Sequence, residues 1–310
     1  MTIDFLLTIQ KVSALFMLIM LGFFAGKIQI ISPKGQQDMT RLVIHITMPA
    51  TIFSAMQLEM NPDRLKTSFV IFGILLCCYA FIFFFGQYIS SKIPINKGQQ
   101  DILQAALLLS NTSFMGYPII QSLLGQEALF YAVVGAGFIF EVVAWSLGVY
   151  IISRSGSQII GLNWRKIILS PGILSTVIGL VFFVFQLSVP NPLNNVIESL
   201  APMTSPLAMI IIGVMLSRCD IKSVFSNKYL YTASILKLLI IPILILSTLK
   251  ILGFSGPTLV IPVMMLSMPS ATYVAMFSAN FDNDAEFASQ IIFMSSLLSM
   301  ITIPIITLLF

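Results

Sequence analysis

Charged residues are scarce in this 310-residue sequence: Lys, Arg, Asp and Glu together make up 9% of it, whereas apolar types make up 57%. A soluble protein needs about a quarter of its residues charged to cover its surface. The length alone would suggest two soluble domains, and this composition excludes them. The chain is therefore predicted to lie in a lipid bilayer. Since a spanning helix needs about 20 apolar residues, there is room for roughly ten spans and for little else.

Residues for metal or cofactor chemistry are scarce as well. There is one histidine; Cys77 and Cys78 are adjacent in an apolar run and Cys219 is distant, which gives neither a metal-ligand spacing nor a disulfide framework. The sequence has no glycine-rich phosphate loop and no Ser-His-Asp set. It thus predicts no metal, no cofactor, no enzymatic activity and no use of ATP, which leaves transport driven by a gradient. The net charge of +4 is spread over many loops, so no nucleic-acid partner is expected.

Ten apolar stretches, separated by charged or Gly/Pro-rich clusters, are predicted to be transmembrane helices. Their limits are Phe5 to Lys27, Met39 to Leu58, Thr67 to Ser90, Asp101 to Leu124, Ala128 to Ile152, Ile167 to Phe185, Leu193 to Leu216, Tyr229 to Lys250, Thr258 to Asn280 and Glu286 to Phe310. The start of the chain lacks the basic region of a signal peptide, so the first stretch is expected to be retained. The predicted fold class is an all-α polytopic membrane protein.

The distribution of basic residues predicts the orientation of these helices. Eleven lie in one set of alternate loops and three in the other, so the first set is predicted to face the cytoplasm. The first set comprises Lys27, Lys34, Arg41, Lys92, Lys97, Arg154, Arg165, Lys166, Arg218, Lys222 and Lys228, and the second Arg64, Lys66 and Lys250. An even number of spans then places both termini outside the plasma membrane.

The sequence also matches itself at a single ungapped offset of 157 residues, which indicates an internal repeat. The matched pairs are Gly22 with Gly179, Pro49 with Pro206, Asp63 with Asp220, Leu109-Ser110 with Leu266-Ser267, and Ala128 with Ala285. Two five-helix halves, residues 1–153 and 154–310, are predicted. Because five is odd, the second half enters the membrane from the opposite side, which makes the repeat inverted. The alternative is that apolar sequences resemble one another by composition alone.

Polar residues and helix breakers interrupt predicted helices 4 and 9 near mid-membrane depth. A broken helix frees backbone donors, and the N-terminus of a half-helix carries a partial positive charge that suits a carboxylate. A substrate site is therefore predicted where the two helices are broken. Its candidate residues are Ser110, Asn111, Thr112, Ser113, Pro269, Ser270 and Thr272. The alternative is a pair of simple proline kinks, satisfied by Ser and Thr side chains that bond their own helix.

Glu141 in helix 5 and Lys237 in helix 8 are ionisable residues well inside predicted spans. Each costs about 2.5–3.5 kcal/mol at the bilayer centre on insertion scales, so neither is expected to face lipid. We hypothesise that they pair beside the interrupted helices. Lys237 would supply the positive charge that sodium supplies elsewhere, and Glu141 would carry a proton. A purely structural ion pair is the alternative.

The scaffold side of this site is predicted to include His45, Pro49 and Pro206. His45 is the single histidine and lies in helix 2 ahead of Pro49, while Pro206 is at the matched position of helix 7. The histidine is expected to hydrogen-bond a neighbouring helix, with a role as proton carrier as the alternative. Lys11 and Arg41 lie near helix ends and are expected to extend to the membrane interface.

The interrupted helices carry a recognisable pattern. The string Asn111-Thr112-Ser113-Phe114-Met115-Gly116-Tyr117-Pro118, followed by Leu124-Gly125, resembles the fourth-helix signature of the auxin efflux carrier family. Further strings that resemble this family are Met268-Pro269-Ser270-Ala271, Asp282-Asn283-Asp284, Ser295-Ser296, Thr302-Ile303-Pro304, Pro49 with Phe53, and Pro206 with Gly213. The resemblance extends over essentially the whole chain.

This resemblance implies an elevator-type secondary carrier, similar to the bile-acid and sodium/proton antiporter folds. Helices 1, 2, 6 and 7 would form a scaffold that is often a dimer contact. Helices 3–5 and 8–10 would form a moving core, whose crossed helices 4 and 9 hold the substrate. By match of motif, Asn111 and Pro269 lie at the crossing and Ser270 beside it. Family substrates are organic anions: auxin in plants, and malate, malonate or other carboxylates proposed for bacterial members.

The sequence departs from the plant members in two places. Ser110 stands where they carry a proline, and the loop from Arg154 to Arg165 is short. A bacterial plasma membrane and a small carboxylate therefore fit this chain better than auxin does.

The expected function is secondary transport of a small mono- or dicarboxylate such as malate by alternating access. Proton coupling through Glu141 and uniport are both open. The expected partners are the anion, the bilayer and a second copy bound through the scaffold helices. One alternative is a sodium-coupled anion symporter of the same fold, and another is a membrane sensor or scaffold that transports nothing.

Overall fold

The structure of the protein is a computed structural model that describes residues 5–156, 165, 168–219 and 221–310. Helices account for nearly all of these residues. The extended backbone in the described ranges includes one isolated antiparallel bridge, between Ser110 and Ser270. The chain is thus all-helical where it is described, as its composition predicts.

The described residues include seventeen α-helices. They are α1 Phe5–Lys27, α2 Pro33–Leu42, α3 Met48–Ala55, α4 Pro62–Lys92, α5 Lys97–Leu108, α6 Tyr117–Tyr131, α7 Phe138–Val143, α8 Val149–Ser153, α9 Pro171–Phe185, α10 Asn191–Leu200, α11 Thr204–Leu216, α12 Ile221–Ser226, α13 Lys228–Ile235, α14 Ile241–Ile251, α15 Pro257–Leu266, α16 Tyr273–Asn280 and α17 Ala285–Thr307. Wider π-helical turns cover Val43–Thr47, Thr112–Gly116, Ala132–Gly137, Ala144–Gly148 and Leu236–Ile240, and a 3₁₀ turn covers Ala201–Met203.

The first predicted helix agrees with α1 residue for residue, but several others begin earlier in the structure than their apolar runs do. The added residues are polar and follow a capping side chain. Ser32, Asn61 and Asn96 accept hydrogen bonds from the backbone N–H groups of Gly35, Asp63 and Gln99 at 3.1, 2.9 and 2.8 Å. Such caps satisfy the first free donors of a helix. Hydropathy locates the apolar part of a helix and misses its capped, polar start.

Three of the π-helical turns come immediately before a helix whose second residue is proline: Pro49 in α3, Pro118 in α6 and Pro242 in α14. Proline has no N–H to donate to the preceding turn, so the backbone widens there. His45, Ser113 and Lys237 lie within these turns. Three of the polar residues that the sequence singles out are therefore on irregular turns of otherwise apolar helices.

Six described helical stretches are long and apolar enough to cross a membrane. They are Ile9–Lys27, Pro62–Lys92, Thr112–Ser153, Asn191–Leu216, Lys228–Ile251 and Ala285–Thr307, and the shorter apolar helices are Pro171–Phe185 and Pro257–Leu266. Thr112–Ser153 has 42 residues and would measure about 60 Å if straight, twice a bilayer core. Gly125 interrupts it with φ 84° and ψ −171°, a backbone conformation that breaks a helix. The count of ten spans itself stays a prediction.

Parts of several predictions lie outside the described residues. These are Met1 at the start of the first half, Lys166 in the basic loop set, Ile167 at the start of predicted helix 6, and Asp220 in its repeat match with Asp63.

Close backbone contacts hold the helices together at small residues. A Cβ at Gly22 of α1 would lie 2.2 Å from the Ile210 carbonyl oxygen of α11, and a Cβ at Gly213 would lie 2.0 Å from that of Ile19. A Cβ at Gly179 of α9 would lie 2.4 Å from the Met56 sulfur. Membrane helices commonly pack through small residues in this way, because their backbones can then approach closely.

Candidate functional site

The two interrupted helices meet where both are broken. α5 ends at Leu108 and α15 at Leu266, and the extended segments that follow run antiparallel. The N–H of Asn111 donates to the Pro269 carbonyl at 2.7 Å, and the N–H of Ala271 donates to the Leu109 carbonyl at 2.9 Å. Each break therefore satisfies backbone groups freed by the other, which removes the main cost of breaking a helix inside a membrane. We refer to residues 109–111 and 269–271 as the crossing.

Serine side chains close the crossing in a symmetric manner. Ser110 Oγ donates to the Leu266 carbonyl at 3.4 Å, and Ser270 Oγ donates to the Ala106 carbonyl at 3.1 Å. Both serines are fully buried. Residues 110 and 270, and likewise 106 and 266, are 160 positions apart, so the ungapped match of Ser110 with Ser267 is three residues out of register here. An ungapped comparison cannot accommodate such a local shift.

Lys237 lies against the crossing and is 1% exposed. Its ammonium donates to Ser110 Oγ at 2.6 Å and to the Leu107 carbonyl at 2.8 Å, in the last turn of α5. The last carbonyls of a helix lack intrahelical partners and carry partial negative charge, so a cation is stabilised there. The hypothesis that Lys237 pairs with Glu141 is wrong, because no ion pair joins them in the described structure. Helix-end carbonyls take the place of the expected carboxylate.

Two polar side chains, one in the crossing and one directly after it, have atoms without a partner. Asn111 Nδ2 and Thr112 Oγ1 are buried and make no hydrogen bond within the described protein. Such atoms are costly unless something binds them. The neighbouring Ser270 N–H is satisfied by Ser295 Oγ of α17 at 3.2 Å. The crossing therefore has free hydrogen-bonding capacity on its Asn111 side.

A cavity of about 900 Å³ lies next to the crossing. Ser113 and Thr272, which flank the two breaks, line it together with Glu141. Its opposite wall comes from α2, the following turn, α9 and α11, and includes His45 and Arg165. Much of the remaining lining is apolar: Ile44, Met48, Ile52, Phe114, Phe138, Ile173, Ile211, Ile212 and Met276. A mostly apolar cavity with a few convergent polar groups is typical of a small-molecule site.

Glu141 is the acidic residue of this cavity and is held by an aromatic group. Tyr273 Oη donates to its two carboxyl oxygens at 3.3 and 3.4 Å. The Tyr273 ring packs against Phe140 and Trp145, with centroids 5.7 and 6.0 Å apart. These contacts fix the carboxyl group on the cavity wall next to Thr272.

Tyr117 is a second phenol of the cavity wall, and Gly137 makes room for it. A Cβ at Gly137 would lie 2.3 Å from the Tyr117 hydroxyl oxygen. Tyr117, Trp145 and Tyr273 were not among the residues that the sequence predicts for the site. Tyr117 is part of the quoted Gly-Tyr-Pro string, but an aromatic residue in a membrane helix gives no signal of its own.

The remaining predicted residues lie in different places. His45 is exposed to the cavity, and its Nδ1 is 3.0 Å from the Arg41 carbonyl of its own helix, so the expectation of a bond to a neighbouring helix is wrong. Pro49 and Pro206 are not among the residues that line the cavity. Helices 2 and 7 are instead joined by Thr51, whose hydroxyl donates to Thr204 Oγ1 at 2.8 Å.

Arg41 and Lys11, the two basic residues near helix ends, have different surroundings. Arg41 is exposed, with Asp38 4.0 Å away, as expected of a residue at the interface. Lys11 donates to the Ser122 carbonyl of α6, and its position relative to the interface stays a prediction. Among the described residues, no group of three or more His, Cys, Asp and Glu side chains could hold a metal ion.

Several membrane-length helices, together with two helices that are interrupted beside a cavity, are the architecture of a membrane transport protein. Residues 7–307 match the family described as "Membrane transport protein". The chain belongs to this family, and the resemblance to the auxin efflux carriers is thereby confirmed.

Three relatives match over nearly their whole length. An uncharacterized transporter of Methanothermobacter thermautotrophicus is 24% identical over 305 residues, covering 96% of each chain. An uncharacterized transporter of Methanocaldococcus jannaschii is 28% identical over 303 residues, 93% of this chain and 94% of that one. A protein of Rhizobium meliloti named "Putative malonate transporter" is 24% identical over 299 residues, 93% of this chain and 91% of that one.

Proposed function

We propose that this protein is a secondary transporter of small organic anions, with the substrate carboxylate bound at the crossing. One observation carries the proposal: the unpartnered Asn111 Nδ2 and Thr112 Oγ1 directly precede Ser113, which lines the cavity. Asn111 and Thr112 do not line the cavity themselves, so a ligand would reach these atoms past Ser113.

Helix ends favour a carboxylate at this place. The helical turns that begin at Thr112 and at Tyr273 both start beside the cavity, and N-terminal N–H groups attract anions. The Lys237 ammonium adds positive charge on the opposite side of Ser110. The name of the Rhizobium relative is consistent with a dicarboxylate of the size of malonate or malate.

The proposed architecture is two inverted repeats of five helices that divide into a scaffold and a moving core. Two packing contacts support it. Gly22 packs near Gly213 and Gly179 packs on Met56, and the offset of 157 relates 22 to 179 and 56 to 213. At the crossing, Ser110 bonds the helix that precedes Ser270, and Ser270 bonds the helix that precedes Ser110. This also supports a local two-fold relation. The cavity would then lie between scaffold helices 2, 6 and 7 and core helices 4, 5 and 9.

We propose that the structure is in an inward-open state, in which the cavity opens to the cytoplasm. The cavity is lined by Gln36, Gln37, Arg165 and Met215, which are close to the predicted basic loops. Those loops face the cytoplasm under the positive-inside rule, so both termini would lie outside the plasma membrane. A second copy bound through the scaffold helices is part of the proposal, because α10 has no buried residue and leaves Leu193 and Val196 exposed.

Glu141 is proposed to couple transport to protons. It lies on the cavity wall with Tyr273 as its hydrogen-bonding partner, so it can exchange a proton with the cavity and respond to a bound anion. Uniport driven by the membrane potential is the alternative. A sodium-coupled symporter is less consistent with Lys237, whose ammonium already occupies the helix-end carbonyl beside the crossing.

The test is uptake of labelled malonate, malate and related carboxylates into proteoliposomes, with proton, sodium and voltage gradients imposed one at a time. The proposal predicts that at least one carboxylate is taken up and that Asn111→Ala abolishes its uptake. Asn280→Ala, at the exposed end of α16, is the matched control and should transport normally. Equal uptake by the Asn111→Ala and wild-type proteins would contradict the site. A folded protein that moves no carboxylate in any gradient would favour the sensor alternative.

A further inference from the structure

The side of the protein opposite the cavity mouth holds two hydrogen bonds that join the proposed scaffold to the proposed core. Lys11 of α1 donates to the Ser122 carbonyl of α6. Gln126 Nε2 donates to the Ser54 carbonyl of α3 at 2.8 Å. Helices 1 and 2 belong to the scaffold, and residues 122 and 126 to the core. We refer to Lys11, Ser122, Gln126 and Ser54 as the far-side contacts.

The two bonds are reciprocal in their chemistry. In each, a side chain of one body donates to a carbonyl in the last turn of a helix of the other body. Ser54 lies in the last turn of α3, and Ser122 lies just before the break at Gly125. The C-terminal end of a helix carries partial negative charge, so a lysine ammonium is well matched to the Ser122 carbonyl. These contacts exist because both helices end at this depth.

The far-side contacts are distant from the cavity mouth. Fifteen residues of α1 separate Lys11 from Gly26, which corresponds to about 22 Å along the helix axis. Gly26 packs against Ser217, where a Cβ would be 2.2 Å from its Oγ, and nearby Met215 lines the cavity. The contacts therefore lie where the protein is closed, and the cavity lies where it is open.

We propose that Lys11 and Gln126 lock the inward-open state, and that both bonds must break for the core to move and open the site to the other side. This inference rests on the proposed function and on its division into scaffold and core. It adds positioning residues that do not touch the substrate. In this arrangement the lock sets the ratio of inward-open to outward-open protein. It therefore also sets the rate at which the carrier without substrate changes from one state to the other.

The experiment measures distance rather than transport. Spin labels are placed at Ser255→Cys in the core and Asn195→Cys in the scaffold, both exposed on the far side, after Cys77, Cys78 and Cys219 are replaced. Double electron–electron resonance then reports the separation in nanodiscs. Lys11→Met and Gln126→Leu remove one bond each with little change in volume. Both should raise the ratio of long to short distances, Lys11→Met by about tenfold because its bond is charge-assisted, and Gln126→Leu by about threefold because its bond is neutral and part-buried.

Lys250→Met is the matched control. Lys250 also donates from its ammonium to a carbonyl near a helix end, that of Leu309 at 2.5 Å, but it joins helices 8 and 10 within the core. The lock predicts no change of distance for this variant and recovery of the parental distance in Lys11→Arg. Unchanged distances in Lys11→Met and Gln126→Leu would overturn the lock, and so would an equal shift in Lys250→Met.

The failure of this inference is distinguishable from that of the proposed function, because the distance measurement needs no substrate. If the protein takes up a carboxylate but Lys11→Met leaves the spin-label distances unchanged, the lock alone is overturned. A shift in Lys11→Met in a protein that takes up no anion would overturn the transport proposal alone. Size-exclusion profiles and melting temperatures of each variant confirm that folded protein is compared.

Discussion

Lys237 and Glu141 are ionisable residues of the apolar interior, and the structure gives them different surroundings. Lys237 is enclosed by protein and bonded to neutral acceptors at the crossing. Glu141 lies on a cavity wall and is bonded to one tyrosine hydroxyl group. A lysine surrounded by fixed acceptors is suited to hold structure in place, whereas a carboxyl group at a cavity is suited to exchange protons. The two residues are therefore expected to respond differently to substitution.

Lys237→Met is predicted to lower the stability of the protein. The substitution keeps the side-chain volume but leaves the Leu107 carbonyl without its cation in a buried place. A buried acceptor without its partner costs about 1–3 kcal/mol. Thermal unfolding in nanodiscs, beside the exposed Lys250→Met variant, checks the prediction. A melting temperature of Lys237→Met at or above that of wild type would show that the ammonium does not stabilise the crossing.

Glu141→Gln is predicted to remove the dependence of uptake on a proton gradient while uptake itself persists. Glutamine keeps an acceptor for the Tyr273 hydroxyl and cannot titrate. The measurement is anion uptake with and without an inward proton gradient, beside Glu198→Gln on the exposed α10. If proton-driven stimulation survives in Glu141→Gln, the coupling belongs to another group.

At the scale of the helix, irregular turns place the functional residues. The widened turns before Pro49, Pro118 and Pro242 carry His45, Ser113 and Lys237. A regular helix bonds all its backbone groups internally and presents side chains at fixed angles. A widened turn shifts that register and frees a carbonyl, so polar side chains can face the interior. The proline in each case stands two residues after the turn and could be used as a marker in the sequence.

Gly125 also shapes helix 4, because it ends the half of this helix that follows the crossing. Its φ of 84° with ψ of −171° is a conformation open to glycine and strained for other residues. A Cβ there would meet nothing within 4 Å, so the cost of adding one is conformational rather than steric.

Gly125→Ala is therefore predicted to destabilise the protein by about 1–3 kcal/mol. Gly73→Ala in the regular helix α4 is the control, since its Cβ also meets nothing within 4 Å. That substitution should be neutral or stabilising by up to about 1 kcal/mol, because alanine favours a helix over glycine. Melting temperatures of the two variants provide the comparison. A Gly125→Ala protein as stable as Gly73→Ala would show that the break tolerates an ordinary residue.

The sequence predicts the elements better than it predicts their contacts, and the reason is physical. Apolar runs locate helices such as α1, and the polar interruptions locate the crossing at Ser110 and Ser270. Hydropathy contains no information about partners, so the sequence suggests Glu141 for Lys237 and does not reveal the Leu107 carbonyl and the Ser110 hydroxyl that Lys237 meets. The role of Lys11 was missed for the same reason, since its acceptor is a backbone group 111 residues away.

At the scale of the whole molecule, the proposed inward-open state is closed on one side and open on the other. The far-side contacts join helices 1 and 2 to Ser122 and Gln126, on either side of Gly125, whereas the cavity lies between helix 2 and helices 4 and 5. The crossing lies between these ends. This arrangement is what alternating access requires: a fixed binding place that exchanges its exposure when one body moves against the other.

The most direct test of the central claim is substrate protection at Ser113, which lines the cavity beside the unpartnered atoms of the crossing. Ser113→Cys is introduced after the native cysteines are replaced, and its modification by a thiol reagent is timed with and without a transported carboxylate. The account predicts that the carboxylate slows labelling of Ser113→Cys and leaves Gln37→Cys on the opposite cavity wall unaffected. Equal labelling rates at Ser113→Cys with and without saturating substrate would contradict binding at the crossing.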